Sequence, residues 1–308
     1  MQKLKRFEKI NNDGEIVQVM YRPFVKTNMN YNKKIISRTF AIPSIYPSQK
    51  RKNLTIAISY PPLKQEFSCL ITNGIVDYHM LGQTQMIPLY WYDESNVQGS
   101  LFDLIGTGES DNYSISDCAL GKFNEKLGMN ISKSDFLYYI YGVFHSNGYK
   151  SKYSKNLAKQ FPRIPYVKNA NEYIKQGKLL ASLHLNYEMA PAYDKVKITK
   201  KNDNYKFTKI YFADKNNKST IIFNNSIKIE NIPLEVYNYK INGRSPIEWV
   251  IDQYQVSVDK DFDIVNDPNK FDKEKGGKYV FDLILSLITV SLETLKLIDE
   301  LPPYEEIE

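Results

Sequence analysis

The spacing of apolar residues changes several times along the chain, and each change marks a different kind of element. Between Glu15 and Tyr92 they come in short β-branched and aromatic runs: EIVQVMYRPF, LTIAIS (54–59), FSCLIT (67–72) and MIPLYWY (86–92). Runs of this length bounded by turn residues predict strands. Asn12-Asp13-Gly14 predicts a hairpin turn between KRFEKI and EIVQVMYRPF, and Pro61-Pro62 ends the LTIAIS strand. From Asp93 to Asn130 the sequence is polar and dotted with glycine, which predicts a loop.

At Ser132 the period becomes helical. Phe136, Leu137, Tyr139, Ile140, Val143 and Phe144 recur three or four apart, Ser132 is the cap with Asp135 three residues on, and Asn147-Gly148 is the stop. A later helix is expected from a cap at Asn171, burying Ile174, Leu179, Leu180, Leu183 and Leu185, with His184 as a hydrogen-bonded core histidine among them. DKVKIT, YKFTKIYFA, STIIFN and SIKIE then predict a small antiparallel meander. Ser245-Pro246-Ile247-Glu248 is a capping box with proline in the first helical position. The polar DKDFDIVNDPNKFDKEKGGK segment predicts a loop, and Tyr279 to Glu300 a core helix that is apolar on nearly every side. The fold class is α+β: a β-rich N-terminal lobe over 1–130, and a helical scaffold over 131–308 with a β insertion at about 193–240.

Composition excludes several classes. The 308 residues are 42% hydrophobic and 25% charged, ordinary for a globular chain, with 24 Tyr and 15 Phe suited to β structure and to stacking surfaces. Cys69, Cys118 and three scattered histidines make neither a disulfide scaffold nor a metal cluster. MQKLKRFEKINNDGE has no apolar core and so is no signal peptide, and Leu283 to Val290 is too short to span a bilayer, so a cytoplasmic protein is expected. Charge is uneven: twelve Lys/Arg face three acids over residues 1–60, and eight Lys/Arg face only Glu172 between Tyr149 and Lys178, enough to account for the whole chain's net +6. An aromatic helix feeding such a strip fits a platform for a polyanion; a solvated helix face explains the spacing equally well.

No catalytic signature survives inspection. Tyr60-Pro61-Pro62-Leu63 and Leu301-Pro302-Pro303-Tyr304 look like the Asn/Asp-Pro-Pro-Tyr/Phe motif of amino-methylating DNA methyltransferases, but neither has the polar first residue that would hold the target amine. Gly106-Thr107-Gly108-Glu109 lacks the helix that a nucleotide-binding glycine turn would open. No GxxxxGK[ST] and no Asp/Glu-x-Lys occurs in the sequence. Asp259, Asp261 and Asp263 lack the glycine and glutamate of a calcium loop. His145 and Ser146 are sequence neighbours that do not face each other on a helix. A binding module is the expectation, with no catalytic residue, metal or cofactor.

DFLYYIYGVFHSNGYKSKY…FPRIP resembles the FYYIYAVLHSPAYRERY…FPRIP block in the C-terminal specificity region of type ISP restriction-modification enzymes. Further blocks agree in order: Val19-Met20-Tyr21-Arg22-Pro23-Phe24, Asp77-Tyr78-His79 with Pro88-Leu89-Tyr90-Trp91-Tyr92, Leu180-Ala181-Ser182-Leu183-His184, Gly243 through Asp252, and Asn266-Asp267-Pro268-Asn269. The resemblance implies sequence-specific double-stranded DNA binding as the target-recognition part of an adenine-N6 methyltransferase system. Methyltransferase, helicase and nuclease parts would lie in the same or a neighbouring polypeptide. Because recognition domains with different targets must differ where they touch bases, base readout is expected on the idiosyncratic polar segments: Asn28, Asn30, Lys33, Lys34, Gln49, Arg51, Lys52, Gln83 and Gln85. Lys26, Lys50, Lys150, Lys152 and Lys155 are assigned to phosphate, and Arg22 and Arg244 to either DNA or structural bridging. A module docking on an acidic protein and a non-specific single-strand or RNA binder are the alternatives.

Overall fold

The computed structural model describes residues 14–32, 36, 41–47, 51–92, 113–261 and 263–307; the turn expected at Asn12-Asp13 and its first arm lie outside them. The EIVQVMYRPF run forms one strand and then its turn. β1 (Glu15–Arg22) reverses at Pro23-Phe24 and pairs antiparallel with β2 (Val25–Tyr31). Pro23 has no N–H to offer a ladder. Phe24 takes φ 62°, a conformation costly for an aromatic residue, with its ring fully buried edge-on to Tyr187 at 5.0 Å. The short helix α1 (Ile42–Ile45) packs Ile45 and the following Tyr46 against Val17 and Val19 on one face of this hairpin.

β3 (Thr55–Ser59) is buried at every residue because it is central, flanked antiparallel by β4 (Cys69–Thr72) and β5 (Thr84–Pro88). Part of the expected Asp93–Asn130 loop is helical: α2 (Asp117–Leu127) starts where the Ser116 side chain accepts from the Ala119 N–H and ends on Gly128 at φ 61°. Phe123 is its one buried residue, so periodicity left almost no trace of it.

α3 (Lys133–His145) carries the expected capping box, Ser132 with Asp135. Ser146 ends it and at once caps α4 (Asn147–Lys152) by accepting from the Tyr149 N–H, so Asn147-Gly148 opens a second helix instead of only stopping the first. α5 (Ser154–Leu157) follows. α6 (Ala170–Leu185) begins after Asn169, two residues before the expected cap, and its buried face includes Tyr173, Ile174, Gly177, Leu180, Ala181 and His184. Leu179, assigned to that face from sequence, is 45% exposed.

Four strands, β6 (Lys197–Lys200), β7 (Tyr211–Phe212), β8 (Ile221–Ile222) and β9 (Ile227–Glu230), form an antiparallel sheet in the order β6-β9-β8-β7. α7 (Pro246–Gln253) has the expected Ser245–Glu248 capping box. The segment read as a loop after it holds a hairpin, β10 (Ser257–Asp259) with β11 (Ile264–Asn266), and a helix, α8 (Pro268–Glu274). Asp272 of α8 accepts from the Val280 N–H at 2.8 Å and so closes the start of α9 (Tyr279–Asp299).

Beside the small cluster under the hairpin, two large apolar clusters fill the described residues. One gathers α7, the four-stranded sheet, the hairpin turn and the N-terminal half of α9; the other gathers β3, β4, α2, α3 and α6. Leu297 and Ile298, from the last turns of α9, pack on the second, so one helix serves both. A buried polar chain crosses the boundary. The Thr294 hydroxyl donates to the Val290 carbonyl at 2.7 Å, so its oxygen faces His184 Nε2, 2.8 Å away, as an acceptor. That fixes the proton on Nε2 and leaves Nδ1 to accept from the Tyr141 hydroxyl at 2.6 Å. The expected core histidine is thus the joint between the clusters. Among the described residues no helix is long and apolar enough to cross a membrane.

α3 and α6 touch through backbone. A Cβ on Gly142 would lie 2.3 Å from the Tyr173 carbonyl oxygen, and one on Gly177 would lie 2.0 Å from that of Tyr138. Alanine would raise helix propensity at either site by about 1 kcal/mol, yet the clash is with backbone that cannot swing aside. Gly177→Ala is therefore expected to destabilise by about 1–3 kcal/mol in urea titration.

His184 gives a second expectation. An unfolded imidazole titrates near 6.5, whereas burial pulls His184 down to about 3 in the folded chain. Between those values the unfolded state binds the extra proton, so stability is full above pH 6.5 and is lost as the pH falls. Burial holds His145 well below 6.5 as well and acts in the same direction. Urea midpoints should fall from pH 7 to pH 4, and less steeply in His184→Gln, by up to about 1.4 kcal/mol per pH unit.

Candidate nucleic-acid interface

The β1–β2 register sorts the hairpin's side chains into two faces. Val17 and Val19 stand opposite Met29 and Thr27 and cover Tyr46; the other face pairs Ile16 with Asn30, Gln18 with Asn28 and Met20 with Lys26. Alternation therefore places the candidates Lys26, Asn28 and Asn30 on one side. Two of them are engaged there. Lys26 forms an ion pair with Glu188, which also accepts from the Tyr279 hydroxyl at 2.6 Å. The Lys26 backbone exchanges hydrogen bonds with the Tyr254 hydroxyl. Asn28 Nδ2 donates to Glu274 at 3.3 Å. These side chains tie the hairpin to α8, α9 and the end of α7.

A cleft of about 430 Å³ opens beside them, lined by Gln18, Lys26, Arg51, Lys52, Asn73 and Gly74 among others. It collects polar groups from β1, from the segment before β3 and from the turn after β4. Gln18, Arg51, Lys52 and Asn73 are exposed. The Arg51 guanidinium lies 5.2 Å from the Tyr92 ring centroid. Gln18 and Asn73 were not among the expected residues. The signal for Gln18 was present, since it is the polar position between Val17 and Val19 in an alternating strand. Nothing local marked Asn73, which reaches the cleft only through the β3–β4 pairing.

Gln83 and Gln85 sit at the start of β5, an edge strand: Gln83 is exposed, its carbonyl accepting from the Tyr60 N–H, and Gln85 is half-buried opposite Ile58. The structure does not bring them to the cleft lining. Lys33, Lys34, Gln49 and Lys50 lie outside the described residues. Arg22 pairs with Asp77 at 3.4 Å and covers the Tyr21 ring; Arg244 pairs with Asp252 at 2.6 Å and covers Trp249. Both arginines make bridging contacts within the chain.

The basic strip from Tyr149 to Lys178 is divided. Lys150 is half-buried, and burial pulls its ammonium below the usual lysine range against the pull of Glu66. Lys152 lies 3.0 Å from Glu306 and within 6 Å of the Tyr153 and Tyr304 rings. Burial pushes the Glu306 carboxyl up, but hydrogen bonds from Tyr153, Tyr304 and Lys152 outweigh it and hold the group below the usual range. Lys168, Lys175 and Lys178 pair with Glu305, Glu172 and Asp135. Lys155, Lys159 and Arg163 are exposed and have no acidic partner among the described residues. No group of three His, Cys, Asp or Glu able to hold a metal occurs among them either.

The model of the Type ISP C-terminal specificity domain matches residues 1–283. The chain belongs to that family. Several solved structures resemble this specificity domain, among them three in complex with DNA or a DNA mimic. An ATP-dependent Type ISP restriction-modification enzyme, LlaBIII, bound to DNA is 39% identical with a TM-score of 0.89, over 98% of this chain and 20% of that one. A nuclease-deletion mutant of the Type ISP enzyme LlaGI, in complex with a DNA substrate mimic, is 37% identical with a TM-score of 0.85, over 100% of this chain and 26% of that one. A DrdV–DNA complex is 27% identical with a TM-score of 0.82, over 99% of this chain and 30% of that one. The domain thus spans about a fifth to a third of the length of these structures. No curated protein sequence matches it.

Proposed function

We propose that this specificity domain recognises a particular sequence in double-stranded DNA and so directs a Type ISP restriction-modification system to an adenine target. The observation that carries this is near-complete superposition, at 39% identity, on an enzyme whose structure was solved bound to DNA. Base flipping and methyl transfer would belong to a methyltransferase part, in the same polypeptide or a partner.

Within that reading, direct readout falls to the cleft. Arg51 and Lys52 are donors of the kind that pair with guanine O6 and N7, and Gln18 and Asn73 of the kind that pair with adenine N6 and N7. The geometry favours Gln18, Lys52 and Asn73 over Lys26 and Asn28, whose polar ends meet Glu188 and Glu274. Gln83 and Gln85, on the edge of the three-stranded sheet, would read flanking bases if the duplex extends that far.

Selection of bound sequences from a randomised duplex pool tests the proposal. A single consensus should emerge, with single-stranded DNA and RNA competing poorly. Gln18→Ala should relax one position of that consensus by about 1–3 kcal/mol of discrimination. Since the side chain is exposed, urea stability should stay within about 0.5 kcal/mol of the parent. Failure to enrich any sequence, or equal binding to single strands, would remove the basis for the reading.

A further inference from the structure

The acid-free part of the basic strip has a construction that its neighbours lack. Lys155 lies on α5, Lys159 just after it, and Arg163 in the extended Phe161-Pro162-Arg163-Ile164-Pro165 run. That run is clamped from below. The Tyr149 hydroxyl donates to the Arg163 carbonyl at 2.8 Å and the Tyr139 hydroxyl to the Pro165 carbonyl at 2.6 Å, both rings being buried. Pro162 and Pro165 fix two φ angles of the same segment. The loop after β3 is bound alongside, its Leu63 N–H donating to the Ala158 carbonyl at 3.3 Å, and its Tyr60 ring lies 6.3 Å from Phe161. Tyr60 and Phe161 are 40% and 49% exposed. The result is a rigid backbone presenting three cations and two open rings to solvent.

Charge is segregated around it. Carboxylates of Glu305, Glu306, Glu172 and Asp135 neutralise Lys168, Lys152, Lys175 and Lys178, while Glu66, on the same loop as Tyr60, acts on Lys150. A surface of one sign on a backbone held by buried tyrosines suits a polyanion.

We propose that Lys155, Lys159 and Arg163 form a phosphate-binding strip that holds the duplex backbone outside the bases being read, with Tyr60 and Phe161 covering the adjoining sugar edge. This rests on the DNA-recognition reading above and extends it. Phosphate contacts set register and carry no sequence information, so they can sit in a block shared with other specificity regions, where base-reading residues cannot. The strip replaces Lys150 and Lys152 as the site of backbone contact, and keeps Lys155.

The test is fluorescence anisotropy on the selected duplex from about 50 to 300 mM salt, a range over which phosphate binding weakens steeply. It compares the parent with a Lys155→Gln/Lys159→Gln/Arg163→Gln variant. All three side chains are exposed, so thermal melting should be unchanged. The slope of log affinity against log salt should shrink by about 0.9 for each phosphate no longer neutralised, roughly 2.7 in all, with the consensus unaltered. Lys155→Arg/Lys159→Arg should keep the parent's slope. An unchanged slope in the triple variant, with the parent still selective, would overturn the strip alone. A parent that prefers no duplex sequence would overturn both the strip and the reading beneath it.

Discussion

Two helices in this molecule approach until backbone meets backbone, and the remaining architecture is built around that contact. Gly142 and Gly177 are the residues that permit it. The closeness brings Tyr141 of α3 within 2.6 Å of His184 on α6, and His184 in turn reaches Thr294 on α9. Each of these buried hydrogen bonds contributes only about 1 kcal/mol, but leaving one partner unmet costs about 1–3 kcal/mol. The chain therefore selects a single arrangement of three helices more than it adds to their stability. On this base rests the hairpin: Phe24, at its turn, packs its ring edge-on to both His184 and Tyr187. The position of every cleft-lining residue on β1 follows from a close approach at two glycines far along the sequence.

The charges obey the same geometry. Read along the chain, eight cations between Tyr149 and Lys178 form one continuous basic strip. In space, acids reach four of them, and two of those acids come from the last residues of the chain. These pairs are exposed enough for water to screen them, so none holds the fold together. What they do is remove charge from parts of the surface. The bare cations then stand out by contrast, beside a stretch in which the Arg163 and Pro165 carbonyls are pinned by buried tyrosines.

What could be read from sequence was local. Ser132 with Asp135, and Ser245 with Glu248, are capping boxes because the residues that satisfy each other lie three apart, and both form as expected. β3, β4 and α9 were legible from apolar runs, and His184 from its leucine-rich surroundings. α2 was not, since Phe123 alone anchors it. The β10–β11 hairpin was not either: its apolar residues Val258, Ile264 and Val265 are all more than half exposed, so no core imposes a pattern on them. The candidate site divides the same way. Composition pointed to the hairpin and to the segment before β3, but the partners of Lys26 and Asn28 lie 162 and 246 residues away, and no reading of neighbours reveals them.

That long reach explains why a cationic, asparagine-rich hairpin can be a structural element and a recognition element at once. Both of its faces are committed: Val17 and Val19 go to a small core, while Lys26 and Asn28 go to acids on the helical half. Gln18 shares the second face but stands at the rim of the cleft, beside Arg51, Lys52 and Asn73. A rim of this sort can change its residues without disturbing the contacts beneath. The clamped Arg163 strip has the opposite property, because its display depends on Tyr139 and Tyr149 in the core. The proposed division, with base contacts on the hairpin rim and phosphate contacts beside a buried tyrosine clamp, would separate the choice of sequence from the grip on the double helix.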